Sequence, residues 1–133
     1  MAPLIDTVAW VCLADGRILG TRSRGRQLFY IPGGKRNEGE SDLDTLLREV
    51  KEEVSVTLVT ESIAYFGTYR APADGHGEGT VVQMSCYTAH HRGDLRANSE
   101  IEELAWLTFA DRERTAPVDR EVFDDLRAAG LLH

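Results

Sequence analysis

Short runs of apolar residues, bounded by turn residues, recur along this chain and predict β-strands. The first two runs, residues 7–13 and 17–21, are separated by Asp15 and Gly16, which predicts an opening hairpin. The later runs are residues 28–31, 56–59, 63–69, 81–90 and 104–109. A loop with three glycines, residues 71–79, separates two of these runs. Together the runs predict a mixed β-sheet.

Two other segments carry apolar residues at the three- and four-residue spacing of an amphipathic helix. The first follows Ser41, and its apolar flank comprises Leu43, Leu46, Leu47, Val50 and Val54. The second lies between Pro117 and Gly130, and its apolar positions are Val118, Val122, Phe123, Leu126 and Ala129. We expect each helix to cover one face of the sheet. The predicted fold class is α/β, an α/β/α sandwich with a mixed β-sheet between helices, in a single domain spanning residues 1–133.

The first predicted helix carries three glutamates beside its apolar flank. Glu49, Glu52 and Glu53 are spaced by three and four residues, so at about 100° per residue they share one side of the helix. Because like charges crowd there, the patch favours either solvation or a cation, and hard divalent cations take carboxylate oxygens as ligands. The plain structural alternative is a solvated acidic face that Arg48 partly neutralises. In both interpretations we expect the glutamates on an open edge of the helix.

A glycine-rich segment leads into this helix. Gly33 and Gly34 follow an apolar run and precede Lys35, which predicts a strand, a glycine turn and a helix in that order. Paired glycines let backbone N–H groups approach an anion closely. Ser41, with Asp44 three residues later, forms a capping pair that starts the helix. The segment is therefore suited to hold a phosphate group beside a metal ion.

Residues 34–56 resemble the signature box of the Nudix hydrolases, the family related to MutT that cleaves nucleoside diphosphates linked to another moiety; their sequence is GKRNEGESDLDTLLREVKEEVSV. The positions that match the box are Gly34, Glu40, Arg48, Glu49, Val50, Glu52, Glu53 and Val56. One position departs from it, because Ser55 stands where the box has glycine. A left-handed backbone there would cost serine about 1 kcal/mol, but no charged position of the box is changed.

The resemblance implies a divalent-metal-dependent pyrophosphohydrolase that cleaves the diphosphate linkage of a nucleoside diphosphate derivative, of nucleoside triphosphate, nucleotide sugar or ADP-ribose type. It implies Mg²⁺ or Mn²⁺ as the cofactor and the same α/β/α fold. The implied metal site comprises Glu49, Glu52, Glu53 and Gly34. Glu40 would have a lesser part, and Arg48 would orient the glutamates through ion pairs. The alternative is a catalytically weak nucleotide-binding or regulatory module, in which the glutamates would be expected to erode.

A further glutamate from a later loop often completes the site or acts as base in related enzymes. Three acids compete for that role here: Glu100, Glu102 and Glu103. We favour Glu100, since its position six residues before Trp106 resembles the usual spacing between that acid and a tryptophan of the next strand. The implied catalytic residues are Arg48, Glu49, Glu52, Glu53 and Glu100. The general base stays open among Glu49, Glu53 and Glu100, because clustered acids titrate as a coupled group.

The charge of the chain is uneven, which bears on its ligand. The formal net charge is −7, and this argues against binding nucleic acid, whose phosphates reward basic surfaces. Basic residues nevertheless outnumber acidic ones through position 36, directly before the acidic helix. A small nucleotide bridging metal and basic groups would explain this polarity. The predicted substrate-binding residues are Gly33, Gly34, Lys35, Arg24 and Arg36.

Several other classes of protein are disfavoured. Cys12 and Cys86 are too few to frame a disulfide fold and lack a CxxC partner for zinc, so we expect buried thiols. The apolar runs fall far short of the ~20 residues that span a bilayer, and the first residues lack the pattern of a secretory leader. We therefore expect no membrane partner and a cytoplasmic protein. The sequence leaves open whether the chain forms a homodimer.

Overall fold

The computed structural model describes residues 3–73 and 79–133. Within them the strands are β1 (Leu4–Trp10), β2 (Leu13–Ala14), β3 (Arg17–Ser23), β4 (Gly33–Lys35), β5 (Thr57–Leu58), β6 (Ala64–Pro72), β7 (Val81–Thr88), β8 (His91–Arg92) and β9 (Ile101–Leu107). The helices are α1 (Asp42–Val54) and α2 (Pro117–Ala128), with 3₁₀ turns at Thr60–Ser62 and Phe109–Arg114. Part of the predicted glycine loop, residues 74–78, lies outside the described residues.

The strands form a mixed main sheet and two smaller antiparallel ones. The main sheet has the order β4-β1-β7-β6, in which β1 runs parallel to β7 and antiparallel to β4. A three-stranded sheet has the order β2-β3-β9, and β5 pairs with β8. The predicted hairpin is present between β2 and β3, where Asp15 and Gly16 have φ of 52° and 76°. Positive φ at both positions is typical of a tight type I′ turn.

The core lies on both faces of β1, because successive side chains of a strand point in opposite directions. Val8 and Trp10 belong to one buried cluster, and Ala9 belongs to the other. The first cluster includes Leu46, Val50 and Val54 of α1. The second includes Val122, Phe123 and Leu126 of α2. The predicted α/β fold, with a mixed sheet between two helices, is therefore confirmed.

The predicted strand at residues 28–31 was wrong. Phe29 and Tyr30 form only isolated bridges, and the ladder with β1 is made instead by β4, which contains the two glycines. Pro32 has no N–H to donate, so this residue bonds to β1 through its carbonyl group, which accepts a hydrogen bond from Trp10 N at 2.8 Å. A Cβ at Gly33 would lie 2.0 Å from the carbonyl oxygen of Val8. Gly33 therefore serves close strand pairing rather than a turn.

Two smaller expectations can be compared with the structure. Cys12 and Cys86 are both buried free thiols, as predicted. Within the described residues, no helix is long and apolar enough to cross a membrane.

We expect the apolar flank of α1 to be a principal source of stability. Leu46 is fully buried, so Leu46→Ala should lower the free energy of unfolding by about 2–5 kcal/mol through lost transfer energy and a residual cavity. Leu43 lies on the same helix and is 40% exposed, so Leu43→Ala should change it by less than about 1 kcal/mol. Urea unfolding of both variants measures the difference. Equal losses would contradict the assigned packing of α1.

Candidate active site

The start of α1 fixes which of its residues face the sheet and which face the site. Ser41 Oγ accepts a hydrogen bond from Asp44 N at 3.1 Å, and Asp44 Oδ2 accepts one from Ser41 N at 3.2 Å. This is the reciprocal capping box that the sequence predicted. From this start, Val50 and Val54 pack into the core, and Glu49 and Glu53 turn toward β4.

Glu53 is buried, although the sequence predicted an open acidic edge. Its residue is only 8% exposed, and Oε1 accepts a hydrogen bond from Gly33 N at 3.0 Å. Burial raises the pKa of its carboxyl group to about 8, and the charges of Glu49 and Glu100 add to this shift. The sequence could not show this burial, because residues 96–98 and β4 cover this end of the helix from distant positions.

Glu49 lies directly against the backbone of Gly34. A Cβ at Gly34 would be 2.6 Å from Cδ of Glu49, so a larger residue there would displace this carboxylate. Burial raises the pKa of Glu49 above its usual value, while the neighbouring Arg48 opposes the shift. The two glycines of β4 therefore shape the site in different ways. Gly33 donates a hydrogen bond to one glutamate, and Gly34 makes space for another.

Arg48 connects the acids of the box. Its Nε and Nη2 donate to both oxygens of Glu40, at 2.8 and 2.9 Å, and Nη2 also donates to the carbonyl of Lys35 at 3.1 Å. Its Nη1 contacts Glu49 at 2.8 Å and Glu52 at 3.4 Å. Hydrogen bonds from Arg48 lower the pKa of Glu40 to about 2. The geometry thus suits the orienting part that the resemblance implies for Arg48.

The donor set fits a hard divalent cation. Glu53 is a carboxylate that burial disfavours in its charged form, and Glu49 and Glu52 bring further oxygens from the same side of α1. Nearby positive charge would restore the ionised form of Glu53. Within the described residues, however, no three His, Cys, Asp or Glu side chains are already gathered around one point. Glu49 and Glu52 are instead turned to Arg48 in this arrangement.

Glu100 is the later acid that the fold brings to the box. The preceding segment lies along the end of α1, where Arg96 N donates to the carbonyl of Val54 and Asn98 N to that of Glu53, each at 3.0 Å. The charge of Glu100 contributes to the raised pKa of Glu53. A hydrogen bond from Ser99 lowers the pKa of Glu100 itself.

The two competing acids are held elsewhere. Glu102 and Glu103 lie in β9, which begins three residues earlier than predicted. Arg22 pairs with both of them, each at 3.0 Å. Glu102 and Glu103 are therefore held by Arg22 of the adjacent strand β3, and this distinguishes them from Glu100.

The predicted basic residues have different environments. Arg36 forms ion pairs with Asp6 and Asp42, so its guanidinium is already engaged. Arg24 donates from Nη2 to the carbonyl of Ser99 at 3.1 Å, beside Glu100. Neither Arg24 nor Arg36 is among the described residues that line the cavity next to Glu53. Gly33, Gly34 and Lys35 do line it, as does Arg26.

That cavity has a volume of about 300 Å³ and lies between the main sheet and the start of α2. Apolar side chains form much of its wall, including those of Ile5, Val8, Val82 and Met84. Glu53 and Asp119 also line it. A concave, largely apolar space with a few polar groups is the usual form of a small-molecule site.

Asp119 is a polar group of this cavity that the sequence analysis missed. It is 1% exposed, and its Oδ2 accepts a hydrogen bond from Ile31 N at 2.7 Å. Burial raises the pKa of Asp119 to about 7. Its only sequence signal is an acid two residues after Pro117 at the start of a helix, which ordinarily indicates favourable placement in the first turn. The contact with Ile31 spans 88 positions and left no local pattern.

The fold and the site define a class of hydrolase. A family model described as the NUDIX domain matches residues 3–126, so the chain belongs to this family. Nudix hydrolases act on phosphoric anhydride bonds. An uncharacterized Nudix hydrolase of Bacillus subtilis strain 168, YvcI, is 25% identical over 126 residues, which are 92% of this chain and 80% of that protein.

Solved structures share the fold of this chain. The solution structure of the ORF135 protein of E. coli aligns with a TM-score of 0.72 and 27% identity, covering 96% of this chain and 94% of that one. The crystal structure of the MutT protein from Methanosarcina mazei Go1 aligns with a TM-score of 0.76 and 21% identity, covering 97% and 96%. The second likeness shows the shared fold.

We expect Glu53 to make the metal-free protein less stable as the pH rises. With a pKa of about 8 in the folded state against 4.5 as a reference, the folded protein keeps a proton that the unfolded chain has released between these values. The free energy of unfolding therefore falls with rising pH in that range. Glu53→Gln should remove this contribution. The free energy of unfolding of the variant, relative to that of the parent protein, should therefore rise from pH 5 to pH 8.

Urea unfolding in EDTA at several pH values measures this difference. Glu61 is exposed, and Glu61→Gln serves as the matched control that should show no pH-dependent difference. The comparison with the parent protein cancels the contribution of Asp119, whose raised pKa acts in the same direction up to about 7. A difference between Glu53→Gln and the parent that stays constant with pH would contradict the assigned environment of Glu53.

Proposed function

We propose that this protein is a divalent-metal-dependent pyrophosphohydrolase that cleaves the diphosphate linkage of a small nucleoside diphosphate derivative. The observation that carries the proposal is the position of Glu53. Its buried carboxylate lies at the wall of the cavity and beside a second glutamate that fits against Gly34. A cation there would be next to a space that can admit a nucleotide.

The box glutamates would hold Mg²⁺ or Mn²⁺, which neutralises phosphate charge and lowers the pKa of a bound water molecule. Glu49, Glu52 and Glu53 supply the carboxylate oxygens for this purpose, and Arg48 limits the repulsion among them. A glutamate within reach of the attacking water would take its proton. We keep Glu49, Glu53 and Glu100 as candidates for this base, since their charges are coupled.

The cavity suggests how the substrate would lie. Lys35 of the glycine strand and Arg26 both line it and can attract the phosphate chain. The apolar wall offers room for the nucleoside part, and Asp119 can accept a hydrogen bond from a donor group on it. The net charge of −7 is in keeping with a small nucleotide rather than a nucleic acid as the ligand.

The first experiment measures product release from nucleoside triphosphates, nucleotide sugars, ADP-ribose and dinucleoside polyphosphates, with Mg²⁺, with Mn²⁺ and with EDTA. We expect metal-dependent turnover that EDTA abolishes. Glu53→Gln should lower kcat by at least about a hundredfold in folded protein, because a metal ligand and candidate base is lost. Glu61→Gln is the matched control and should keep full activity. Turnover in Glu53→Gln equal to that of the parent would overturn the proposal, and nucleotide binding without turnover would indicate a regulatory module.

A second prediction concerns the nucleoside part. Because the cavity adjoins Glu53, kcat/KM for the preferred nucleoside triphosphate should exceed that for inorganic triphosphate by at least about tenfold. Val82→Trp would fill part of the cavity and should reduce this preference, mainly by raising KM for the nucleotide. Steady-state kinetics on the two substrates measures both effects. Equal efficiency on the two substrates would show that the cavity does not receive the nucleoside.

A further inference from the structure

Ser55, the one residue that departs from the family box, has an unusual backbone conformation. It follows the last residue of α1 with φ of 68° and ψ of 14°, in the left-handed region. Glycine adopts this conformation freely, but serine does so at a cost in free energy. A serine here therefore needs a compensating interaction, and its side chain has one.

The hydroxyl group of Ser55 joins α1 to a distant segment. Its Oγ donates a hydrogen bond to the carbonyl of Arg96 at 3.1 Å, across 41 positions of sequence. Two backbone hydrogen bonds lie beside it, from Arg96 N to the carbonyl of Val54 and from Asn98 N to the carbonyl of Glu53. The two accepting carbonyls belong to the last turn of α1, where a helix leaves such groups without internal partners. A glycine could keep the two backbone bonds but could not make the third.

This attachment lies close to Glu100 along the chain. Asn98 is followed by Ser99, which also has a left-handed φ of 54° and whose Oγ contacts Glu100 Oε2 at 2.5 Å. On its other side, the carbonyl of Glu100 accepts a hydrogen bond from Arg24 N at 2.9 Å. Glu100 is thus held between the end of α1 and the segment after β3. Its distance from the box glutamates depends on how residues 96–98 sit against α1.

We propose that Ser55 is a positioning residue: its hydroxyl group holds residues 96–98 against the end of α1 and thereby sets Glu100 relative to Glu49 and Glu53. The catalytic consequence rests on the proposed function. The attachment itself does not depend on catalysis. Ser55 therefore contributes a structural contact that the glycine of the family box could not make.

The attachment can be tested without measuring activity. Ser55→Ala keeps the strained backbone and loses the hydroxyl group, so the amides of Arg96 and Asn98 should exchange with solvent about three- to tenfold faster. Ser55→Asn should restore much of the protection, since asparagine accepts a left-handed backbone and its amide group can donate. The amide of Val50, inside α1, should be unchanged in both variants. Hydrogen exchange followed by NMR measures all three, and unchanged exchange at Arg96 and Asn98 in Ser55→Ala would overturn the proposal.

The consequence for catalysis is tested by a double-mutant cycle. Ser55→Ala alone should lower kcat about three- to tenfold with little change in KM, because a misplaced acid affects the chemical step more than binding. In the Glu100→Gln background the same substitution should have less than about a twofold effect, since the group it positions is gone. Ser62→Ala removes another hydroxyl group that bonds a carbonyl, that of Val59, and should leave kcat unchanged.

The outcomes separate this inference from the proposed function. An equal loss of kcat from Ser55→Ala in the parent and in Glu100→Gln would overturn the positioning role. If Ser55→Ala speeds exchange at Asn98 but the parent protein is inactive on every substrate tested, the attachment is supported. That result would contradict the proposed function.

Discussion

The site depends on one contact, the hydrogen bond from the backbone of Gly33 to the carboxylate of Glu53. It requires β4 to lie so close to β1 that a Cβ at Gly33 would meet the Val8 carbonyl oxygen. It also requires α1 to begin at its capping box, so that Glu53 faces the strand. The position of Glu53 thus depends both on the pairing of β4 with β1 and on the orientation of α1. Because burial disfavours its charge, a nearby cation would stabilise the ionised form of this acid.

Two acids of the box show how environment divides their parts. Glu40 accepts hydrogen bonds from Arg48, which lower its pKa to about 2, so it stays charged and anchors the arginine. Glu53 has no such partner within the described residues, and burial raises its pKa to about 8. Two glutamates of similar sequence appearance therefore differ by their neighbours alone. Glu40 holds Arg48 in place, whereas the ionised form of Glu53 would be favoured by a nearby positive charge.

Local signals predicted the helices well, because their evidence lies within a few residues. Ser41 and Asp44 marked the start of α1 correctly, and the spacing of apolar residues identified both core faces. Two predicted core positions were wrong, since Leu43 is exposed and Ala129 is exposed just past the end of α2. Features that depend on distant contacts could not be predicted. The burial of Glu53 comes from a strand twenty positions away, and the position of Asp119 comes from a contact with residue 31. The predicted glycine turn was wrong for the same reason, since Gly33 and Gly34 belong to a strand that pairs with β1.

The bonds of Arg48 would allow this side chain to serve the site both with and without the proposed cation. Its Nε and Nη2 are used by Glu40 and the Lys35 carbonyl, whereas Glu49 and Glu52 share only Nη1. Losing the Nη1 contacts would therefore leave the guanidinium held in place by its other bonds. Breaking the contacts of Arg48 with Glu49 and Glu52 therefore costs little free energy, because Arg48 need not be exposed or reoriented. The same residue can neutralise the acids while they are free and remain beside them when they turn elsewhere.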